Sequence, residues 1–277
     1  MTVPILTIAP IGGLANRMRA ILSAWTLATE LKLQLHVVWL RNAELNCPYN
    51  KLFNPLPSGI YLHETTGIDK WIYHVPRKKN LYIPTVFQHY KFRETFFDKQ
   101  LQNLLDTPEF IRDKVKKGNV FIASGLGFYP TDDTLFSSFF IPTKDILQEV
   151  GRRSADFRHV IGLHIRRTDN QQSIKGSPLS LFTEKMTAEI AIDSSVRFYL
   201  ATDEESVKSN LQAAFPGRIL YSPLCAERNS VEGMREAVIE MFTLVRTRCF
   251  YGSYYSSFSD LVLLMNPNGG EILHTEQ

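Results

Sequence analysis

The sequence VIGLHI at residues 160–165 opens the part of the chain that decides the fold. It is the first of four short apolar runs that alternate with helical patterns as far as residue 264. The later runs lie at 196–201, 218–221 and 249–251, and the helices are predicted at 181–190, 204–215, 231–245 and 256–264. Short apolar runs bounded by polar turns are typical of strands buried on both faces. Strands that alternate with helices in this order predict a doubly wound parallel α/β sheet.

The first forty residues show the same order. An apolar run at 3–9 is followed by a glycine pair, by a helix whose apolar face recurs from Leu14 to Leu31, and by a second apolar run at 35–40. This order predicts a parallel βαβ unit. The pattern resumes with a predicted strand at 120–123 and a helix at 144–150. A polar stretch at 151–158 marks the expected boundary between an N-terminal domain, 1–150, and a C-terminal domain, 151–277.

Residues 41–118 show little regular hydrophobic periodicity and contain many aromatic residues. Short strands are predicted at 60–63 and 71–75, and a helix at 96–105. The aromatic residues of this part either form core or stack on a ligand, and core is the favoured interpretation; they are Tyr73, His74, Phe87, His89, Tyr90 and Phe92.

Composition excludes several classes of protein. The 277 residues are 44% hydrophobic and 21% charged, as in ordinary globular proteins, which excludes collagen, coiled coils and disorder. Lys+Arg 31 against Asp+Glu 28 gives a net charge of +3. The basic runs at 77–79, 112–117 and 152–153 are short and scattered, so they predict solvated faces and no nucleic-acid partner.

Location is predicted from cysteines and apolar runs. Cys47, Cys225 and Cys249 form no CxxC pair, and no basic residue precedes Arg17 as in a signal peptide. No apolar run is long enough for a membrane span. We therefore expect a cytoplasmic protein.

Polar residues follow several of the predicted strands. Ligands of open parallel sheets bind beyond the carboxyl ends of the strands, so these residues should meet at one edge of each sheet. They are Gly12, Gly13, Asn16 and Arg17 after the first strand, Arg166, Arg167, Thr168 and Asp169 after 160–165, Thr202 and Asp203 after 196–201, and Ser253, Ser256, Ser257 and Ser259 after 249–251. Arginine, serine and glycine are residue types that bind anions, which predicts a phosphate site.

The glycine pair has two interpretations. Gly12-Gly13 before a helix allows a backbone loop to cradle a phosphate, and it equally suits a plain tight turn. The lysine of a P-loop and the third glycine of a dinucleotide fingerprint are missing, so neither of those families is supported.

The segment after residue 165 carries the strongest signal. Strand alternation puts His164 and Arg166 on one face, where the planar guanidinium of Arg166 can grip a phosphate. Asp169 is close enough to hold an arginine, and a surface Arg–Asp pair is the plainer alternative. Asp203 is either part of this site or a helix N-cap.

Metal and carboxylate signals are weak. The chain has no Asp-x-Asp and no His/Asp cluster with metal-ligand spacing, so the expected phosphate site has no metal. Glu240 falls opposite the apolar stripe of the helix 231–245, together with Glu236. Periodicity alone predicts that Glu240 is solvated.

Four motifs, in order, resemble those of fucosyltransferases that use GDP-fucose, above all the α1,6 group with the nodulation enzyme and the core fucosyltransferase of N-glycans. The segment IGLHIRRTD at 161–169 is similar to that family's H-x-R-R-x-D signature. GGLANR at 12–17, FYLATD at 198–203 and SSFS at 256–259 are similar to its other motifs. The resemblance covers the first thirty residues and about 160–266.

The resemblance implies a GT-B-like pair of Rossmann-type domains with the donor in the cleft between them, the C-terminal domain binding the GDP-sugar and the N-terminal domain the acceptor. It implies an inverting, metal-independent transfer of fucose to a glycan, in carbohydrate biosynthesis or protein glycosylation. Arg166 and Asp169 would be catalytic, with Arg166 on the β-phosphate. His164 and Glu240 would lie near guanine. The other donor-binding residues implied are Gly12, Gly13, Asn16, Arg17, Arg167, Thr202, Asp203, Ser256, Ser257 and Ser259.

Two departures from the family pattern stand out. The family usually has aspartate where Glu240 stands. The α1,6 enzymes are suggested to use a carboxylate just beyond the signature as base, whereas NQQSIK at 170–175 has no acid. The base then comes from the N-terminal half, or the hydroxyl attacks with little help. A transferase of another nucleotide sugar and an inactive nucleotide- or glycan-binding protein remain the alternatives.

Overall fold

The computed structural model describes residues 3–103, 107–168 and 170–275. The chain divides into two compact units. One comprises Met1–Ile141 and Arg228–Val231, and the other comprises Pro142–Glu227 and Glu232–Gln277. Each unit contains its own five-stranded sheet, in which every strand pair is parallel.

The sheet of the first unit has the strand order β3-β2-β1-β5-β4. Its strands are β1 (Ile5–Pro10), β2 (Gln34–Trp39), β3 (Ile60–Glu64), β4 (Glu94–Phe97) and β5 (Val120–Ser124). Its helices are α1 (Leu14–Leu31), α2 (Lys70–Tyr73), α3 (Ile83–Lys91), α4 (Asp98–Gln102), α5 (Pro108–Lys116) and α6 (Phe136–Phe139). The predicted βαβ unit is confirmed as β1, α1 and β2, and β1 lies at the centre of the sheet.

Two predictions for the middle of this unit are wrong. Residues 71–75 were expected to be a strand, but α2 covers Lys70–Tyr73 and follows directly on a 3₁₀ turn, Gly67–Asp69, that Thr66 and Asp69 cap. The predicted helix at 96–105 begins instead with the end of β4, which pairs with β5, and the helix α4 starts at Asp98. Leu104 and Leu105 lie outside the described residues.

The sheet of the second unit has the strand order β10-β9-β6-β7-β8. Its strands are β6 (Val160–Ile165), β7 (Arg197–Thr202), β8 (Ile219–Tyr221), β9 (Cys249–Ser253) and β10 (Gly270–Leu273). Its helices are α7 (Lys144–Arg153), α8 (Gln171–Gly176), α9 (Leu179–Ile192), α10 (Glu205–Ala214), α11 (Val231–Leu244) and α12 (Ser257–Met265). The predicted alternation is confirmed, and β10 is a strand that the sequence pattern did not predict.

Helices cover both faces of the second sheet. On one face, Leu163 of β6 and Phe198 of β7 pack in a cluster with Phe182 of α9 and Val207 of α10. On the other face, α11 approaches the strand so closely that a Cβ at Gly162 would lie 2.7 Å from Thr247 Oγ1 and 3.0 Å from Leu244 Cδ2. Glycine in the central strand therefore permits this helix–strand contact.

All five strands of the second sheet point the same way, so the residues after β6, β7 and β9 gather at one edge. None of the helices in the described part of the chain is both long and apolar enough to cross a membrane.

Candidate functional site

The loop after β6 is held from both neighbouring strands. The Arg166 N–H donates to Ser253 Oγ at the end of β9, 3.0 Å away. The Arg167 N–H donates to Asp203 Oδ1, 2.7 Å away, and the Thr168 hydroxyl donates to Asp203 Oδ2, also 2.7 Å away. Register explains the convergence, because Ile165 pairs with Thr202 and His164 pairs with Gly252. The backbone of residues 166–168 is therefore fixed at the sheet edge.

Asp203 is not the N-cap of α10, the alternative that the sequence left open. Glu204 occupies that position, and the Asp203 carboxylate instead accepts the N–H groups of the β6 loop. Thr202 supports the same loop, since its hydroxyl donates to Ile165 O at 2.7 Å. Both residues thus act on the segment that carries the two arginines.

The two arginines lie half-buried at this edge. The Arg167 guanidinium donates to Arg166 O at 3.2 Å and to Ser177 O at 2.6 Å, and burial lowers the pKa of Arg167 from its usual value. A cation held this way is fixed in position and incompletely hydrated, which strengthens its attraction for an anion. The expected partner Asp169 lies outside the described residues.

His164 is the second-last residue of β6, and its imidazole is neutral. Its Nδ1 lies 2.7 Å from Ser259 Oγ, and its ring packs at 4.5 Å on Phe258. Burial, and then the charge of Arg166, lower the pKa of His164 to about 4. The imidazole therefore acts as a hydrogen-bonding group and contributes no charge near neutral pH.

The serine segment opens α12. Ser256 is its N-cap and accepts the Ser259 N–H, while Ser257 is half-buried in the first turn. The Ser253 hydroxyl also donates to His164 O at 3.2 Å. Three of the four serines thus have a structural role. Ser256 caps α12, Ser259 is the partner of His164, and Ser253 links β9 to β6.

Glu240 is buried, so the periodicity-based prediction that it is solvated is wrong. Its exposed fraction is 8%, and no hydrogen bond to its carboxyl occurs among the described residues. Burial, and then the charge of Glu236, raise the pKa of Glu240 to about 8. α11 connects parallel strands and so runs antiparallel to them. Glu240 therefore lies one turn nearer the carboxyl edge than Leu244, which contacts Gly162 on the face that also bears His164.

The prediction of a solvated face at 152–153 is wrong for Arg153. Its guanidinium donates to both carboxylate oxygens of Glu236, at 2.5 and 2.9 Å, and to Glu149 at 2.7 Å. Glu236 is 1% exposed. Hydrogen bonds from Arg152 and Arg153 lower the pKa of Glu149 to about 2. This buried network neutralises Glu236, so Glu240 is a buried carboxyl on α11 without a charge partner in hydrogen-bond range among the described residues.

The glycine loop of the first unit turns at Gly12, whose φ is +82°, a conformation that suits glycine. The Gly12 N–H donates to Glu44 Oε2 at 3.0 Å. A Cβ at Gly12 would lie 2.9 Å from Asn16 Nδ2, so the amide of Asn16 packs directly on the loop. Gly13 is the N-cap of α1 and has no side-chain cap, which leaves the helix N-terminus open to an anion.

Arg17 lies beneath that loop and is fully buried. Its guanidinium donates to Gly12 O, Leu40 O and Asn42 Oδ1, and lies 5.0 Å from the ring centroid of Trp39. Burial lowers the pKa of Arg17 to about 10. The side chain ties the glycine loop to the residues after β2.

A cavity of about 690 Å³ opens in the second unit between the end of α8 and the segments that follow β9 and β10. It is lined by Gln172, Lys175, Gly176, Tyr254, Tyr255, His274 and Thr275. The rings of Tyr254 and His274 pack at 5.4 Å. The Tyr254 N–H donates to Ser177 Oγ, and Ser177 O accepts Arg167, which links the cavity wall to the arginine loop.

Sequence reasoning missed several of these residues. Ser177 and Arg153 act through partners 10 and 83 residues away, and no local pattern signals such pairs. In the described part of the chain no group of three or more His, Cys, Asp or Glu side chains could hold a metal ion.

No protein-family model matches the chain. No curated protein matches it in sequence either.

Solved structures match the chain in fold. NodZ α-1,6-fucosyltransferase soaked with GDP-fucose is 16% identical, with a TM-score of 0.66 over 99% of each chain. Fucosyltransferase NodZ from Bradyrhizobium is 16% identical, with a TM-score of 0.66 over 96% of this chain and 94% of that chain. POFUT1 in complex with GDP is 11% identical, with a TM-score of 0.60 over 98% of each chain. The chain therefore has the GT-B fold of these fucosyltransferases, with two parallel five-stranded sheets.

Proposed function

We propose that the protein is a glycosyltransferase that moves L-fucose from GDP-fucose to a hydroxyl of a glycan acceptor. The observation that carries the proposal is the fixed loop at the end of β6, where Ser253 and Asp203 hold the backbone of Arg166 and Arg167. The solved structures of the same fold include fucosyltransferases bound to GDP or GDP-fucose, which favours this donor over others.

The reaction needs a stabilised leaving group. As the bond from fucose to the β-phosphate breaks, negative charge builds on GDP. Arg166 donates to the β-phosphate, and Arg167 adds charge beside it in place of a metal ion. The hydroxyl and N–H groups at the start of α12, at Ser256 and Ser257, add donors. We also propose that the glycine loop and Asn16 of the first unit bind an anionic group.

The buried carboxyl of Glu240 favours guanine as the base of the donor nucleotide. A carboxylate accepts two parallel hydrogen bonds from N1–H and N2–H of guanine, whereas uracil offers it a single N–H. The buried carboxyl of Glu240 lies on the sheet face of His164, and its empty hydrogen-bonding capacity is matched by that pair of donors. Binding guanine would satisfy a group that is costly to leave unpaired.

The acceptor hydroxyl attacks the anomeric carbon from the face opposite to GDP, which inverts the configuration. We propose that the first unit binds the acceptor. In the second unit, we propose that the cavity beside α8 also binds a sugar. Tyr254 and Tyr255 there are exposed aromatic rings on which a sugar can stack. No residue of α8 is acidic, so this helix supplies no carboxylate base for the hydroxyl proton.

Two measurements test the proposal. GDP should raise the Tm of the protein more than UDP or ADP at equal concentration, and a larger effect of UDP would favour a transferase of another nucleotide sugar. The protein should then release GDP from GDP-fucose, slowly in water and faster with a glycan array as acceptors. Binding of GDP-fucose without any GDP release would establish the inactive binding protein instead.

A further inference from the structure

One segment of the first unit concentrates positive charge. Residues 70–93 contain six of the chain's 31 basic residues and none of its 28 acidic residues. The six are Lys70, Arg77, Lys78, Lys79, Lys91 and Arg93, and all are exposed. The rest of the chain is net acidic, so the net positive charge of the protein comes from this segment.

The same segment exposes large apolar side chains. Leu81 is 78% exposed, Val86 is 71% exposed and Tyr90 is 96% exposed. Trp71, Tyr82 and Phe87 are exposed as well. Single exposed apolar residues are ordinary, but six within 24 residues of one segment need an explanation. We call the exposed side of residues 70–93 the basic–aromatic surface.

Opposite this surface the segment is anchored in the first unit. Tyr73 and Phe92 pack in the core with Phe121 of β5, as the core hypothesis for the aromatic residues predicts. Phe87, His89 and Tyr90 are exposed and do not follow it. The amide of Gln88 donates to Ile72 O at 2.8 Å and to His74 O at 2.9 Å, which binds α3 to α2.

The turn between α2 and α3 is also fixed. The Arg77 N–H donates to Asn80 Oδ1 at 2.8 Å, and the Asn80 amide donates to Val75 O at 2.9 Å. Leu81 and Tyr82 both have positive φ, +52° and +55°, which is unfavourable for residues with a Cβ. The backbone thus holds two large apolar side chains outward at a conformational cost, beside the basic run 77–79.

We propose that the basic–aromatic surface binds the face of an anionic lipid bilayer. Lysine and arginine attract anionic headgroups, while leucine, valine and phenylalanine enter the boundary of the acyl chains. Tyrosine and tryptophan favour that interface because their rings are apolar and their tips are polar. A glycan suits the surface less well, since Leu81 and Val86 offer a sugar neither a flat ring nor a hydrogen bond.

The test uses the full-length protein and sedimentation with vesicles. We expect binding to vesicles of equal parts phosphatidylcholine and phosphatidylglycerol, and little binding to phosphatidylcholine alone. Added salt should weaken binding, because it screens exposed charges. Each basic side chain near such a surface contributes about fivefold to partitioning, so Lys78→Glu with Lys79→Glu should reduce binding at least about 30-fold.

Matched variants distinguish binding by this surface from non-specific binding by other exposed apolar or basic residues. Leu81→Ser with Val86→Ser should abolish binding, whereas Ile192→Ser, at a residue 81% exposed in the second unit, should not. Lys116→Glu with Lys117→Glu makes the same change of charge at two exposed lysines outside the segment and should leave binding largely intact. The Tm of every variant reports folding.

The proposal is overturned if anionic vesicles do not bind the protein or if both lysine pairs have equal effects. It is equally overturned if Leu81→Ser with Val86→Ser instead abolishes self-association measured by light scattering, or binding to an anionic polysaccharide, while vesicle binding persists. None of these results depends on whether the protein transfers fucose.

Discussion

Replacing Glu240 by glutamine should stabilise the ligand-free protein and weaken its binding of GDP. Burial and the charge of Glu236 raise the pKa of Glu240 from 4.5 to about 8. A carboxyl whose folded pKa exceeds its unfolded pKa keeps its proton in the folded state. Its stabilising effect is complete below pH 4.5 and is lost as the pH rises to about 8.

The size of the effect follows from those two pKa values. At pH 7 the Glu240 carboxyl has lost its proton in the unfolded chain and has mostly kept it in the folded chain. From the unfolded pKa of 4.5 to pH 7 is an interval of about 2.5 pH units. At about 1.4 kcal/mol for each unit, wild type is destabilised by about 3 kcal/mol relative to pH 4.5. Glu240→Gln removes this dependence. The gain at pH 7 is at most that amount, because a buried amide without partners is also unfavourable.

Guanine binding favours the ionised form of Glu240, whereas burial favours the protonated form. If the carboxylate accepts N1–H and N2–H, GDP binding at pH 7 must release roughly 0.9 proton from Glu240. Calorimetry in buffers of different ionisation enthalpy measures this number directly. Glu240→Gln should release no proton and should bind GDP about tenfold or more weakly, since it leaves guanine donors unpaired.

Glu232→Gln is the matched control, because Glu232 is an exposed carboxyl in the first turn of the same helix. It should change neither proton release nor GDP affinity. Equal proton release in wild type and Glu240→Gln, or unchanged affinity for GDP in Glu240→Gln, would refute the assignment of Glu240 to guanine. Unfolding by urea at pH 5 and pH 8 tests the stability part separately.

Three further predictions concern the phosphate end of the site. Arg166→Lys keeps the charge but loses the planar grip, so kcat for fucose transfer should fall by about 10²–10³ with Tm little changed, whereas Arg152→Lys, at an exposed arginine, should retain full turnover. A surface role for Arg166 would show as near-normal turnover in Arg166→Lys. Asp203→Ala should lower kcat about tenfold by freeing the Arg166–Thr168 loop, and Glu205→Ala should not; equal losses would contradict a positioning role. Transfer should survive excess EDTA, and loss of activity that Mg²⁺ or Mn²⁺ restores would contradict a metal-independent reaction.

The sequence predicts the elements of the second sheet well because their burial is local and periodic. Each strand there is a short apolar run, and each helix has one apolar face. The same reasoning fails around residue 71, where a capped 3₁₀ turn at Gly67–Asp69 continues directly into α2 despite the strand propensity of tryptophan, isoleucine and tyrosine. It misses β10, whose four residues carry a single pair of adjacent large apolar side chains.

Glu240 shows the limit of periodicity for the site. The apolar stripe of α11 gives the helix one core face, and both glutamates fall off that stripe. The structure buries them because Arg153, 83 residues from Glu236, neutralises one of them. Such a distant pair leaves no periodic signal in the sequence, and the burial of Glu240 beside it is a consequence of the packing.

The arginine loop, in contrast, follows from strand register once the strands are known. Parallel pairing of Ile165 with Thr202 sets Asp203 beside the N–H groups of Arg167 and Thr168. Pairing of His164 with Gly252 sets Ser253 beside the Arg166 N–H. A slip of one residue in either pairing would turn the slipped strand's side chains to the opposite face and remove the anchor that this pairing sets. The register that buries the core of the second unit therefore also fixes the backbone that carries the two arginines, so the loop gains its geometry from contacts that the fold already requires.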